Sequence, residues 1–237
     1  MSSSEIFYTQ FAPTYATYAS TKDVYLSAVN EFIVRNAKDG GSMMDIGSGN
    51  GLRAKGISDV LQVSLLTLCD SSSGMLSLLK KIEKAEVVSG DISDEHFKQE
   101  KTFDTVTCLW NVLGHIPTAE KREIAMKNLQ ELLAPRGFVF VDVNNRYNIP
   151  QYGFKNVLKN IWKDLIEKEG TIGNFNIKFQ TGEGEIETEV HIFSPFEMNV
   201  LVRSAGLKIV KRKSIHYKTG KECKSIFGGQ LVYKLSK

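Results

Sequence analysis

Short apolar runs alternate with amphipathic stretches along the first two thirds of the chain. Between residues 22 and 38 the side chains Val24, Tyr25, Ala28, Val29, Phe32 and Ile33 recur at i, i+1, i+4 and i+5, lining one face of a helix that ends at Asp39-Gly40-Gly41. Runs of the buried-strand type follow at 43–46, 64–69, 86–88, 103–110 and 138–143, separated by stretches of helical length. That alternation predicts a parallel sheet with helices on both faces. Before the fifth run, Thr118 is expected to cap a helix carrying Ile124, Ala125, Leu129, Leu132 and Leu133 on one side, with Pro135 and Gly137 stopping it.

The pattern changes after residue 148. Phe154, Val157, Leu158, Ile161, Trp162, Leu165 and Ile166 keep helical spacing, and Gly170 is expected to close that helix. Two alternating segments at 174–180 and 185–193, joined by Thr181-Gly182-Glu183-Gly184, read as an antiparallel hairpin. Ser194-Pro195-Phe196-Glu197 is a capping box with proline at the first helical position. Its helix stops at Gly206, and two strands, 207–215 and 230–235, end the pattern. There is no internal repeat or low-complexity linker, so residues 1–237 read as one domain, with a flap and helix over 1–40 and an insertion over 148–193.

Composition narrows the class. Of 237 residues, 42% are hydrophobic and 24% charged, a globular balance. No apolar run is long enough for a membrane span, and the first residues lack the basic and apolar regions of a secretory signal, so a cytoplasmic location is expected. Cys69, Cys108 and Cys223 form no C-x-x-C pair, which argues against a disulfide framework or a thiolate metal site. The net charge of +3 does not by itself imply nucleic acid. It is unevenly spread, however: Arg203, Lys208, Lys211, Arg212, Lys213, Lys218, Lys221 and Lys224 are set against Glu222 alone, a run that usually marks a solvated face.

The candidate chemistry begins at Met43-Met44-Asp45-Ile46-Gly47-Ser48-Gly49-Asn50-Gly51, where the first parallel strand turns into a helix. Glycines at alternate positions let a ligand approach the backbone closely. In open parallel sheets, ligands bind beyond the carboxyl ends of the strands where strand order reverses. The dinucleotide fingerprint G-x-G-x-x-G would need its third glycine at the position of Leu52, whereas the glycine falls at Gly51. Asp70 ends the second strand, where a carboxylate can accept hydrogen bonds from both hydroxyls of a ribose.

Asp45 with the three glycines resembles the D/E-x-G-x-G-x-G motif of class I S-adenosylmethionine (SAM)-dependent methyltransferases. Three further stretches resemble the same family in order. They are Asp70-Ser71-Ser72-Ser73-Gly74-Met75-Leu76, Ser89-Gly90-Asp91-Ile92, and Glu131-Leu132-Leu133-Ala134-Pro135-Arg136-Gly137-Phe138, in which Arg136 replaces a glycine. The resemblance, to the small-molecule type, covers about residues 7 to 235. It implies a Rossmann-like sandwich with a mostly parallel seven-stranded sheet whose last strand is antiparallel, and a lid over the acceptor site formed by 148–193. SAM is then the cofactor and S-adenosylhomocysteine (SAH) the product. The cofactor-binding residues would be Tyr15, Asp45, Gly47, Ser48, Gly49, Asp70, Ser71, Met75, Asp91, Ile92 and Asn111, with Met75 on the adenine face and Asp91 on its amino group.

Methyl transfer is an in-line displacement that depends mainly on alignment, and a general base is needed only where the acceptor must lose a proton. His115, in Cys108-Leu109-Trp110-Asn111-Val112-Leu113-Gly114-His115-Ile116-Pro117, is the candidate base, with an ordinary pKa near ~6.5. This segment lacks the Pro-Pro-aromatic sequence of base-amine methylases, and Cys108 lacks the adjacent proline of cytosine-5 methylases and reads as core. No metal is expected. Tyr8, Tyr15 and Tyr18 resemble the aromatic N-terminal segment of small-molecule methyltransferases, with Thr9 and Ala16 where relatives carry aspartates. Tyr15 is a second catalytic candidate. Asn144, Arg146 and Tyr147 could hold the acceptor or solvate a loop, and Phe175, Phe179 and His191 are candidate acceptor-pocket residues.

The expected activity is methyl transfer to nitrogen or oxygen of a small molecule by a monomer or homodimer that does not cross a membrane. Methylation of tRNA or protein is the runner-up, kept open by the basic run. An NAD-dependent oxidoreductase and a non-catalytic SAM-binding module are the remaining alternatives.

Overall fold

The alternating runs become the strands and helices of one layered sheet in a computed structural model that describes residues 3–166, 172–181 and 184–237. Two helices lead, α1 (Ser3–Ser20) and α2 (Asp23–Val34). They are followed by β1 (Ser42–Ile46), α3 (Leu52–Leu61), β2 (Leu65–Asp70), α4 (Ser73–Leu79), β3 (Ala85–Ser89) and β4 (Phe103–Cys108). A 3-10 turn over Val112–His115 leads to α5 (Ala119–Glu131) and β5 (Leu133–Val143). The insertion holds α6 (Ile149–Tyr152), α7 (Phe154–Ile166), β6 (Asn174–Thr181) and β7 (Gly184–His191). The chain ends with α8 (Pro195–Ser204), β8 (Lys208–Ile215), β9 (Glu222–Cys223) and β10 (Gln230–Ser236).

The main sheet has the order β3-β2-β1-β4-β5-β10-β8-β9, and β6 pairs with β7 in a separate two-stranded sheet. From β3 to β5 all neighbours are parallel, whereas β10 runs antiparallel to both β5 and β8. This is the expected Rossmann-like sandwich, with eight strands where seven are expected. The additional one is β9, two residues that fold back on Ser214 and Ile215. Strand order reverses between β1 and β4, which opens a crevice at their carboxyl ends.

Period-two alternation divides the core between the two faces. Met44 and Ile46 join the side chains of α5 and α8, while the preceding strand neighbour Met43 joins those of α2 and α3. Each such fully buried apolar side chain contributes ~1.5–3 kcal/mol. The predicted caps form: Thr118 accepts from the Lys121 N–H, and Ser194 and Glu197 close the capping box. The helix capped by Thr118 stops at Glu131, so Leu133 opens β5 instead of closing the helix face, and Phe103 pairs with it. The strand expected over 103–110 ends at Cys108, because Trp110 and Asn111 take left-handed backbone.

The N-terminal flap is the continuous helix α1, with Pro13 inside it. It lies on α4 closely enough that a Cβ on Gly74 would stand 2.7 Å from the Thr9 carbonyl oxygen. The expected helix stop at Gly170 and turn residues Gly182 and Glu183 lie outside the described residues. Among those described, no helix is long and apolar enough to cross a membrane.

Candidate functional site

The loop after β1 is shaped by backbone that L side chains rarely adopt. Gly47 and Gly49 have φ of +67° and +57°, and a Cβ would be strained at either. It would also meet Val112 Cγ2 at 2.5 Å from Gly47, or the Tyr15 hydroxyl at 2.7 Å from Gly49. Asp70, at the end of β2, holds this loop: its carboxylate accepts from the Gly49 N–H at 2.9 Å and from the Ser72 N–H at 2.9 Å. Burial pushes the Asp70 carboxyl above its ordinary range, against these backbone donors. Asp45 is also buried and is pushed up to about 6, although the Thr107 hydroxyl donates to it at 2.5 Å. Ser48 turns inward, donating to the Asp45 carbonyl and accepting from the Cys69 N–H, so it braces the loop.

Three cavities meet here. The first is lined by Gly47, Gly49, Asp70, Ser71, Asp91 and Ile92, with Tyr8, Tyr15 and His115 across from them. The second runs under Tyr15 to Asp45, Ser48, Asn30 and Arg53. The third, of about 490 Å³, is walled by Tyr8, Tyr15, Tyr18, Trp110 and Asn111 together with Phe175 and Phe179 of the insertion. Tyr15 belongs to all three. Among the predicted cofactor residues Met75 stands apart: its side chain is wholly buried beneath α4 and is not on the wall of the first cavity. Asp91 is exposed and accepts from both the backbone N–H and the hydroxyl of Ser93, each at 2.8 Å.

At the end of β4, Trp110 and Asn111 have φ of 60° and 62°. Asp142 of β5 accepts from the Trp110 N–H at 2.5 Å and from the Tyr25 hydroxyl at 2.7 Å. The Asn111 side chain accepts from the Asn144 N–H at 2.9 Å and donates to the His191 carbonyl at 3.3 Å. Asn111 therefore joins β4, β5 and β7, and it lines the third cavity. His115 lies between the first and third cavities. Its Nε2 is 2.9 Å from the Tyr8 hydroxyl, and its Nδ1 is buried without a protein partner. Burial pushes its pKa down to about 4, well below the ordinary value. Cys108 is buried core, as expected.

Three residues read as holding an acceptor or lining its pocket serve instead as ties. Arg146 grips the Asp164 carboxylate through Nε at 3.0 Å and Nη2 at 2.7 Å, and reaches Glu197 at 2.6 Å. Tyr147 donates to Asp164 at 2.5 Å. His191 lies 2.6 Å from Glu197 and 2.5 Å from Asn174 Oδ1. Burial lowers the His191 pKa against the pull of Glu197. The group pins α7, β7 and α8 to the end of β5. Asn144 remains on the wall of the third cavity.

Residues 44–139 match a family model described as a methyltransferase domain. That match spans the glycine loop and the strands from β1 into β5. Among curated proteins no sequence matches this chain. Its fold is that of class I SAM-dependent methyltransferases. A SAM-dependent methyltransferase from Clostridium acetobutylicum ATCC 824 superposes with a TM-score of 0.66 at 15% identity, covering 94% of this chain and 98% of that one. The CcbJ methyltransferase from Streptomyces caelestis gives 0.68 at 16% identity, with 97% of each chain covered. DhpI, in a complex with SAM and HEP, gives 0.71 at 17% identity, covering 99% of this chain and 96% of that one.

SAM is present in the DhpI complex, and the residues lining the cavities here fit such a group. Asp70 puts a carboxylate on the wall of the first cavity, an acceptor of the kind ribose hydroxyls require, and the glycine loop leaves room that a Cβ would fill. The second cavity supplies a further match. Arg53 donates through Nε to Asn30 at 2.7 Å, but its buried Nη1 and Nη2 make no hydrogen bond, Nη1 standing 4.0 Å from Asp142. Two orphaned donors beside Asp45 suit the carboxylate of an amino acid moiety. Sequence reading misses Arg53, because a basic residue in the first turn of a helix is ordinarily solvated.

Proposed function

We propose that this methyltransferase acts on nitrogen or oxygen of a small molecule held in the aromatic third cavity. The observation that carries the reading is the shared wall: Tyr8, Tyr15, Trp110 and His115 line both the cofactor-type cavity and the aromatic one. When bound, SAM supplies an electrophilic sulfonium methyl.

The chain's own contribution is alignment and exclusion of water. Asp70 would accept from ribose hydroxyls, Asp91 and Ile92 would border the adenine, and Arg53 would take the carboxylate. Tyr15 packs over Gly49, where its ring face tolerates a cation. Asn111 fixes the edge of the acceptor cavity. His115, neutral at physiological pH and bound to Tyr8, is a weak base. This favours acceptors that offer a lone pair without prior deprotonation, such as an uncharged amine or an oxyanion.

Calorimetry with SAM, SAH and NAD tests the reading. Binding of SAM and SAH without NAD is expected, and Asp70→Asn should weaken SAH by ~10–100-fold. NAD binding without SAH, or an unchanged SAH affinity in the variant, overturns it.

A further inference from the structure

Lys22 is the last residue before α2 and lies on the wall of the aromatic cavity. Its ammonium stands 5.4 Å from the Tyr18 ring centroid and 5.8 Å from that of Tyr217. Among the described residues it has no carboxylate partner within ion-pair distance. The other lysine on this wall, Lys178, is engaged by Glu185 at 2.8 Å and Glu187 at 3.6 Å. His115 is neutral. No aspartate or glutamate lines the cavity among the described residues. Asp142, bonded to the Trp110 backbone, does not line it, and its oxygens accept from Tyr25 and the Trp110 N–H and face Arg53.

An ammonium held between aromatic faces is fixed in place and only partly compensated. Tyr217 adds a hydroxyl to the same wall. A cavity of about 490 Å³ suits a small metabolite. Its rings favour a flat or apolar body, and its one uncompensated charge favours an anion.

We propose that the acceptor carries an anionic group, a carboxylate or a phosphate ester, bound by Lys22 at the aromatic end of this cavity. A neutral or cationic molecule would leave that ammonium without a partner, and a cation would be repelled by it. This inference rests on the methyltransferase reading, and it assigns Lys22 to acceptor choice, with no part in holding the cofactor.

The test is calorimetry on the full chain saturated with SAH, titrated with benzoate, phenyl phosphate, benzamide and benzylamine. Absence of heat with SAH itself defeats the underlying function. With SAH bound, benzoate or phenyl phosphate should bind at least ~10-fold more tightly than benzamide, and benzylamine more weakly still. Which of the two anions is tighter distinguishes a carboxylate from a phosphate acceptor. Lys22→Gln should abolish the preference and leave SAH affinity unchanged. Lys22→Arg should restore it, and Lys127→Gln on the surface of α5 should not alter it. Equal binding of benzoate and benzamide, or a preference that survives Lys22→Gln, overturns the proposal.

Discussion

An imidazole in water titrates near ~6.5, yet burial against Tyr8 pushes His115 down to about 4. The unfolded chain takes up that proton first. Stability is therefore lost as pH falls from ~6.5 toward about 4, and the loss levels off once both states are protonated. Asp45, pushed up to about 6, acts in the opposite sense, losing stability as pH rises through the same window. The two are separated by difference: His115→Gln should lose less stability than the unaltered chain between pH 6.5 and 4.5, by ~1–3 kcal/mol in denaturant titrations. The imidazole resonances should titrate with a midpoint near 4, and a midpoint near ~6.5 would contradict the burial argument. The glycines and Asp70 are legible in sequence because spacing alone places them at strand ends. Arg53 and Lys22 are not, since their partners Asn30, Asp142, Tyr18 and Tyr217 come together only through the sheet and its covering helices.

Elements differ in how firmly they are joined. The helix α7 reads clearly from its periodicity, but pattern does not reveal that Phe154, Leu158, Trp162 and Leu165 stay exposed. Only Val157 is buried in it, so the helix is held largely by Asp164 on Arg146 and Tyr147. Asp164→Asn should cost ~1–3 kcal/mol, because Arg146 keeps Glu197 but loses a bidentate partner. Amide exchange should accelerate across α7, while SAH affinity stays unchanged because none of the first cavity's described walls comes from that helix. Protection of α7 equal to that of the unaltered chain would count against the tie. The hairpin is joined differently: Phe179 of β6 lies 5.6 Å from Phe7, 5.2 Å from Phe11 and 5.2 Å from Tyr18 by ring centroids. Sequence places both segments near the acceptor only by resemblance, whereas these contacts put their rings together.

For the whole molecule, the order of strands and helices was written in the alternation of runs, and β9 was not, because two residues carry no period. The basic run acquires a structural reason. From Lys208 to Lys213, β8 pairs with β10 on one side, while β9 covers only Ser214 and Ile215 on the other. Lysines along such an edge discourage pairing with another chain. Replacing Lys208, Lys211 and Lys213 together by threonine should leave SAH binding intact and produce self-association in light scattering; a variant that stays monodisperse would refute this role. The left-handed pair at the end of β4 bears on the order of folding. Asn111 is held through contacts 33 and 80 residues away, and Trp110 through one 32 residues away. Closing such long loops is entropically costly, so the sheet must dock before this pair can be held. Asn111→Ala should then speed unfolding with little effect on the folding rate, a transition-state φ-value near zero in chevron measurements. The crevice where chemistry is expected would be among the last parts of the protein to take shape.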